Sequence, residues 1–194
     1  MKDKKTCLIL GKKKETLKLQ IAILKKGWKV INKNQILKLN NLINVDLVIA
    51  YNYGHILKKN ILKKLKRPAI NLHISYLPFN RGAHPNFWSF IENTTKGVTI
   101  HEINSGVDTG PIIYQKKMKF DINKKNITFF NTHKVLNFEI KKLFFKRINE
   151  ILDKKYVSKK QKKGGTLHYK RDLPKDIFNN WKIKIKDFLK VYKN

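Results

Sequence analysis

Three short apolar runs do most to limit the folds open to this chain: Cys7-Leu8-Ile9-Leu10, Val45-Asp46-Leu47-Val48-Ile49-Ala50 and Ala69-Ile70-Asn71-Leu72-His73-Ile74. Near-continuous apolar character over so few residues marks strands buried on both faces, as parallel sheets require. Lys5 to Leu10 reads as the first such strand, ended by Gly11. Glu15 to Lys26 then carries Leu17, Ile21 and Leu24 at helical spacing, and Trp28 to Asn32 follows as a second strand. This is a βαβ opening. The expectation is one α/β domain with a mostly parallel central sheet flanked by helices. The Gly11-Lys12-Lys13-Lys14 turn matches neither a dinucleotide fingerprint nor a phosphate loop, so no nucleotide site is placed there.

The third run carries the chemistry. Strand side chains alternate between faces, so Asn71 and His73 point one way while Ile70, Leu72 and Ile74 point the other. The strand gives way to Tyr76-Leu77-Pro78-Phe79-Asn80-Arg81-Gly82, rich in turn formers. Ligands of open α/β sheets bind at this carboxyl edge. Two further strand-like runs, Gly97 to Ile103 and Ile112 to Lys119, flank a loop, Ser105-Gly106-Val107-Asp108-Thr109-Gly110. An amide, an imidazole and a carboxylate can therefore converge, and the set suits acyl transfer to an amine. Asn71 would donate to an oxyanion, His73 would carry a proton, and Asp108 would orient the imidazole and raise its pKa. The plainer reading is two polar groups on a solvated face and an Asp serving turn chemistry.

Several blocks occur in order: Asn71-Leu72-His73-Ile74-Ser75-Tyr76-Leu77-Pro78, Arg81-Gly82, Gly97-Val98-Thr99-Ile100-His101 and Asp108-Thr109-Gly110-Pro111-Ile112-Ile113-Tyr114-Gln115. Together they resemble the formyltransferase family that uses 10-formyltetrahydrofolate. That family includes glycinamide ribonucleotide, methionyl-tRNA and sugar-nucleotide N-formyltransferases. The resemblance is strong over the centre of the chain and loose over its flanks. It implies a Rossmann-like fold, 10-formyltetrahydrofolate as formyl donor, a primary amine as acceptor, no metal, and a homodimer. It carries the catalytic roles onto Asn71, His73 and Asp108, and sets the pterin against Tyr53, Gly54, His55, Ile56 and Leu57. It closes the loop of Gly106 and Val107 over the pterin and formyl group. Without the resemblance, residues 53–57 read as a turn with Ile56 and Leu57 packing inward.

The run Asn80-Arg81-Gly82-Ala83-His84-Pro85-Asn86-Phe87-Trp88 resembles the sugar-nucleotide branch more than the purine branch. A nucleotide-linked amino sugar is therefore the expected acceptor, with glycinamide ribonucleotide as the alternative. Arg81 is a candidate for a diphosphate. Phe87 and Trp88 are expected in the core. Gly164-Gly165-Thr166, His168 and the basic run after it also resemble sugar N-formyltransferases. Thr166, His168 and Tyr169 are thus candidates for the acceptor side, against a reading as solvated tail. His101 sits on a strand, where a structural role is the commoner one.

Elsewhere the expected helices are Asn34 to Leu42, Ile56 to Lys66, Pro85 to Glu92, Lys124 to Leu152 and Asp176 to Tyr192, with an irregular basic stretch from Lys154 to Pro174. The catalytic domain is expected over 1–155 and a basic extension near the acceptor side over 156–194, forming one unit. That leaves no room for the additional C-terminal domain of the methionyl-tRNA branch. The net charge of +31 comes from 44 lysines and arginines against 13 acidic residues. Its lysines are spread along the whole chain, which fits compositional drift or an attraction to polyanions, and would draw phosphorylated substrates. A polyanion- or RNA-binding module, inactive but on the same fold, is the rival class. Cys7 is the only cysteine, which excludes an intrachain disulfide. The N-terminal apolar run is too short for a signal peptide or a membrane span, so the cytoplasm is expected.

Overall fold

The first apolar run forms β1 (Thr6–Leu10), all five residues of which are buried. A computed structural model describes residues 4–125, 127–178 and 180–192. After β1 come α1 (Lys13–Leu24), β2 (Lys29–Lys33), β3 (Leu47–Tyr51), α2 (Lys59–Lys64) and β4 (Ile70–His73). The chain continues through β5 (Arg81–Gly82), α3 (Pro85–Ile91), β6 (Lys96–Glu102) and β7 (Ile112–Met118). It ends with α4 (Phe129–Leu152), β8 (Leu167–His168), α5 (Lys175–Phe178) and α6 (Ile185–Tyr192). The main sheet runs β2-β1-β3-β4-β6-β7, and β5 pairs with β8 in a separate two-stranded sheet.

Strands β1 to β4 are mutually parallel, as the apolar runs predict, while β6 and β7 join antiparallel. Alternation splits the core between the two faces of the sheet. Cys7 and Ile9 pack with Ile70, Leu72 and the buried stripe of α4, while Leu8 and Leu10 pack with Val48, Ala50 and Ile61 of α2. Phe87 of α3, Phe129 of α4 and Leu173, Ile177 and Ile185 of the C-terminal segments form a third cluster, which ties those segments to α3 and α4.

Several expectations needed correction. Leu17, Ile21 and Leu24 of α1 are exposed, and Thr16, Leu19 and Ile23 face the sheet instead. Apolar residues surround this helix, so spacing alone allowed either face. The helix expected over 34–42 shrinks to a single 3₁₀ turn, Leu39–Leu42. Here the Tyr53 hydroxyl accepts from the Leu37 N–H at 3.2 Å and donates to the Gln35 carbonyl at 2.8 Å, taking up backbone groups that a helix would have paired. The long helix begins at Phe129, where Thr128 accepts the Asn131 N–H as an N-cap. The last helix is two, α5 and α6, with Trp181 between them in contact with Phe87 and Phe129. The expected ranges cross Asn126 and Asn179, which lie outside the described residues. Phe87 and Trp88 are buried as expected.

Candidate active site

Asn71 and His73 lie on one face of β4, at its carboxyl end, and β6 brings His101 directly opposite Asn71 in the antiparallel register. The β6–β7 connection then folds Asp108 back over this edge. Asp108 has a positive φ of 51°, a region that Asp tolerates better than most side chains. At the base of that loop Gly110 passes so close to the Glu102 carbonyl that a Cβ would overlap it.

Four groups surround the Asp108 carboxylate. Asn71 Nδ2 donates to Oδ1 at 3.1 Å, and His101 Nε2 lies 3.4 Å from the same oxygen. The Gly82 N–H donates to Oδ2 at 2.9 Å, with His73 Nδ1 at 3.7 Å from that atom. Gly82 itself adopts φ +84°, and a Cβ there would run into the His168 carbonyl. Burial alone would push the Asp108 carboxyl up, but His73, His101 and the Gly82 N–H outweigh it and hold the group well below the usual carboxylate range. Asp108 is therefore ionised at neutral pH.

His73 is buried, and its pKa falls below the ordinary 6.5 because burial outweighs the upward pull of Asp108. Asp108 raises it as expected, but burial wins, and the ring is neutral at pH 7. At 3.7 Å, Asp108 acts on His73 through its field rather than through a hydrogen bond. The Asn80 carbonyl lies 3.4 Å from Nε2 and the ionised Asp108 Oδ2 3.7 Å from Nδ1, and both can only accept, so each ring nitrogen has an acceptor beside it for the proton. On its strand His101 could face the site or serve structure, and the first of these holds. It faces the site, with Nδ1 donating to the Glu102 carbonyl at 2.7 Å. The signal for it was present in strand alternation, once β6 is placed beside β4.

These groups open on a cavity of about 640 Å³, within the range of small-molecule sites. Asn71, His73 and Asp108 line one part of it, and Tyr53 and Gly54 line another. His84, Phe130, His133, Lys170 and Trp181 complete the wall, and sequence reasoning missed all five as site residues. No local pattern reveals them, because distant segments bring them together.

The segment expected to hold a pterin fits in part. Tyr53 and Gly54 line the cavity, a Cβ on Gly54 would meet open space, and Leu57 packs into the core. Among the described residues, the backbone N–H groups of Gly54, His55 and Ile56 donate to no protein acceptor, leaving them free for a flat heterocycle. His55 packs edge-on to Tyr53, and Ile56 is exposed rather than packed inward. Gly106 and Val107 lie in the Asp108 loop, where Asn104 Oδ1 accepts the Gly106 N–H.

The four acceptor-side candidates lie beside the cavity rather than among its lining. Arg81 donates to Gln161 Oε1 at 2.9 Å, and Gln161 Nε2 donates to the carbonyls of Asp108 and Gly110, both at 2.8 Å. Thr166 accepts the Asn80 N–H and donates to Glu92. His168 stacks on Trp88 at 4.1 Å with its Nε2 2.7 Å from Glu92, and Tyr169 carries Arg171 over its ring.

Comparison with known proteins bears on this geometry. A family model described as formyl transferase matches residues 2–144. The crystal structure of the formyltransferase PseJ from Anoxybacillus kamchatkensis is 37% identical, covers 93% of this chain and 96% of that one, and superposes with a TM-score of 0.85. It was solved in complex with UDP-4,6-dideoxy-4-formamido-L-AltNAc and tetrahydrofolate. A 4-N formyltransferase from Francisella tularensis shares the fold, with a TM-score of 0.78 at 20% identity over 87% of this chain and 77% of that one. The methionyl-tRNA formyltransferase of Thermodesulfovibrio yellowstonii is 36% identical over 151 residues, 76% of this chain and 46% of that protein. The chain spans between a third and a half of the length of the first curated relatives it matches.

Proposed function

We propose, for a chain that belongs to the formyl transferase family, that it moves a formyl group from 10-formyltetrahydrofolate to the primary amine of a nucleotide-linked amino sugar. The observation that carries the chemistry is the partly buried Asp108 carboxylate, ringed by Asn71, His73 and His101 at the cavity. The choice of acceptor is supported by the similarity to PseJ along nearly the whole of both chains.

When bound, the folate supplies an activated formyl carbon. Tyr53 and Gly54, with the unpaired N–H groups that follow, would hold its ring. The Asn71 amide N–H donates to the carbonyl oxygen at the reacting centre, a contribution of ~10²–10³ in rate for donors of this kind. Neutral His73 would take the proton shed by the attacking amine, with the Asp108 charge stabilising the imidazolium, and would return that proton to the folate nitrogen as its bond to the formyl carbon breaks. Gly82, through its N–H, and Gln161, through the loop carbonyls, keep Asp108 in place.

The curated methionyl-tRNA formyltransferases favour a second reading, in which the amine belongs to an aminoacyl-tRNA. Mass spectrometry of products from a panel of nucleotide-linked amino sugars, glycinamide ribonucleotide and methionyl-tRNA separates the readings. A formylated amino sugar is the expected product. Formylation of methionyl-tRNA alone would overturn the choice of acceptor.

A further inference from the structure

Two backbone groups of the loop that leaves β4 reach the catalytic pair. The Asn80 carbonyl lies 3.4 Å from His73 Nε2, and the Gly82 N–H donates to Asp108 Oδ2. What fixes this loop stands outside the cavity. Asn80 is fully buried at a positive φ of 53°, and its remaining polar atoms are all engaged. Its N–H donates to Thr166 Oγ1 at 3.1 Å, its Nδ2 donates to Glu92 Oε2 at 2.8 Å, and its Oδ1 accepts from the Thr94 hydroxyl at 2.7 Å. We propose that Glu92 and Thr166 are positioning residues of the catalytic centre, which set the Asn80 carbonyl against His73 and the Gly82 N–H against Asp108. Their role rests on the formyl-transfer reading above and adds the groups that hold its acid–base pair in place.

Glu92 gathers donors in a way that a surface charge does not. It follows the last residue of α3, and one of its oxygens, Oε2, accepts from both Asn80 Nδ2 and Thr166 Oγ1. The other, Oε1, lies 2.7 Å from His168 Nε2, whose ring stacks on Trp88 one helical turn earlier. The loop after β4, the end of α3 and the C-terminal segment thus meet on one carboxylate. Backbone bonds from the Arg81 N–H to the Thr166 carbonyl at 2.9 Å, and from the Ala83 N–H to the His168 carbonyl at 2.8 Å, carry the same tie along β5 and β8. Neither Glu92 nor Thr166 lines the cavity, so their influence passes through the loop.

The loop matters to the chemistry because an imidazolium carries a proton on each nitrogen. Asp108 stands beside Nδ1 of His73 and the Asn80 carbonyl beside Nε2, so the loop supplies the second acceptor. A contact of 3.4 Å tightens as the ring takes charge, since hydrogen bonds from ionised donors are the shorter and stronger ones. Burial lowers the His73 pKa, and Asp108 and the Asn80 carbonyl pull it back up against that burial and the neighbouring His101. Release of the loop from Glu92 or Thr166 withdraws the carbonyl and leaves the imidazolium one acceptor short. The ring is then a weaker base, and the step that protonates it slows.

Three variants test the role. Thr166→Val keeps the side-chain shape but removes the hydroxyl, Thr166→Ser returns the hydroxyl, and Glu92→Ala removes the shared carboxylate. Each is assayed as the whole chain with 10-formyltetrahydrofolate and a UDP-linked amino sugar, and its thermal midpoint is measured beside the wild type. The expected result is a kcat lowered by about tenfold or more in Thr166→Val and Glu92→Ala, the scale of one hydrogen bond to a charged group. Thr166→Ser restores most of that loss. KM for donor and acceptor stays within about twofold, and the acid limb of the kcat/KM profile moves to lower pH, as a weaker base requires. Wild-type kcat in folded Thr166→Val and Glu92→Ala would overturn the role. So would an acid limb that stays in place while kcat falls, or a rise in acceptor KM alone, which would put Thr166 in contact with the acceptor. Loss of folding in both Thr166→Val and Glu92→Ala would assign the two residues to stability and overturn it as well. In each of these cases a wild type that formylates the sugar leaves the formyl-transfer reading standing. A wild type that transfers no formyl group removes both.

Discussion

Asn71 Nδ2 donates to Asp108 Oδ1 at 3.1 Å and lies 3.2 Å from His101 Nε2, so the amide is held between the two. A substrate oxygen must draw its donor from this position, so His101 helps decide how Asn71 is presented. His101→Ala should lower kcat by about tenfold or more, the scale of a lost hydrogen bond to a charged network, with little change in folate affinity. His73→Gln and Asp108→Asn should each cost ~10²–10⁴ in kcat while the thermal midpoint shows a folded protein. Near-wild-type turnover in either would remove it from the mechanism. The lowered His73 pKa gives two pH effects. Activity that needs the neutral ring falls with pH only below the ordinary 6.5. Because the unfolded chain binds that proton more readily, stability is complete above 6.5 and declines as pH drops toward the folded value. His84, half-buried, and His133, more exposed, are shifted the same way by desolvation and add a smaller share to the decline. A thermal midpoint that rises on acidification through this window would contradict the assignment. At this scale strand parity and a glycine loop suggested that Asn71, His73 and Asp108 converge, as they do, while their proposed roles came from the resemblance. The direction of the His73 shift was not, since burial is a property of the packed molecule.

Among elements, α1 separates what periodicity settles from what it leaves open. Its existence followed from helical spacing between two strands, but six apolar residues from Leu17 to Leu24 made more than one face acceptable. The sheet chose Leu19 and Ile23, both fully buried. Leu19→Ala should therefore destabilise by ~2–5 kcal/mol, and Leu17→Ala, half exposed, by no more than ~0.5 kcal/mol. Chemical denaturation compares them directly, and equal losses would place the wrong face inward. The parallel strands and the β6–β7 hairpin were legible because continuous and alternating apolar runs are short-range patterns. The 3₁₀ turn at Leu39–Leu42 was not, because a tyrosine hydroxyl from another segment takes the backbone bonds.

At the scale of the whole molecule, the C-terminal segments are tied to the site. Arg81 holds Gln161, Gln161 holds the Asp108 loop, and the C-terminal segment packs Ile177 and Ile185 around Phe87. Gln161→Ala should thus reduce kcat more than stability, since it frees two carbonyls of the Asp108 loop from their restraint. A variant that unfolds as it loses activity would assign Gln161 to the core instead. None of these long-range ties could be read in order along the chain. The lysine-rich C-terminal stretch looks like solvated tail until its apolar residues meet α3. The most direct test of the central claim follows a carbon-13 formyl label from 10-formyltetrahydrofolate in single turnover with a UDP-linked amino sugar, in wild type and His73→Gln. The account predicts label on the sugar nitrogen in the wild type, slowed by ~10²–10⁴ in the variant. Label that stays on folate in both, or moves equally fast in both, would contradict it.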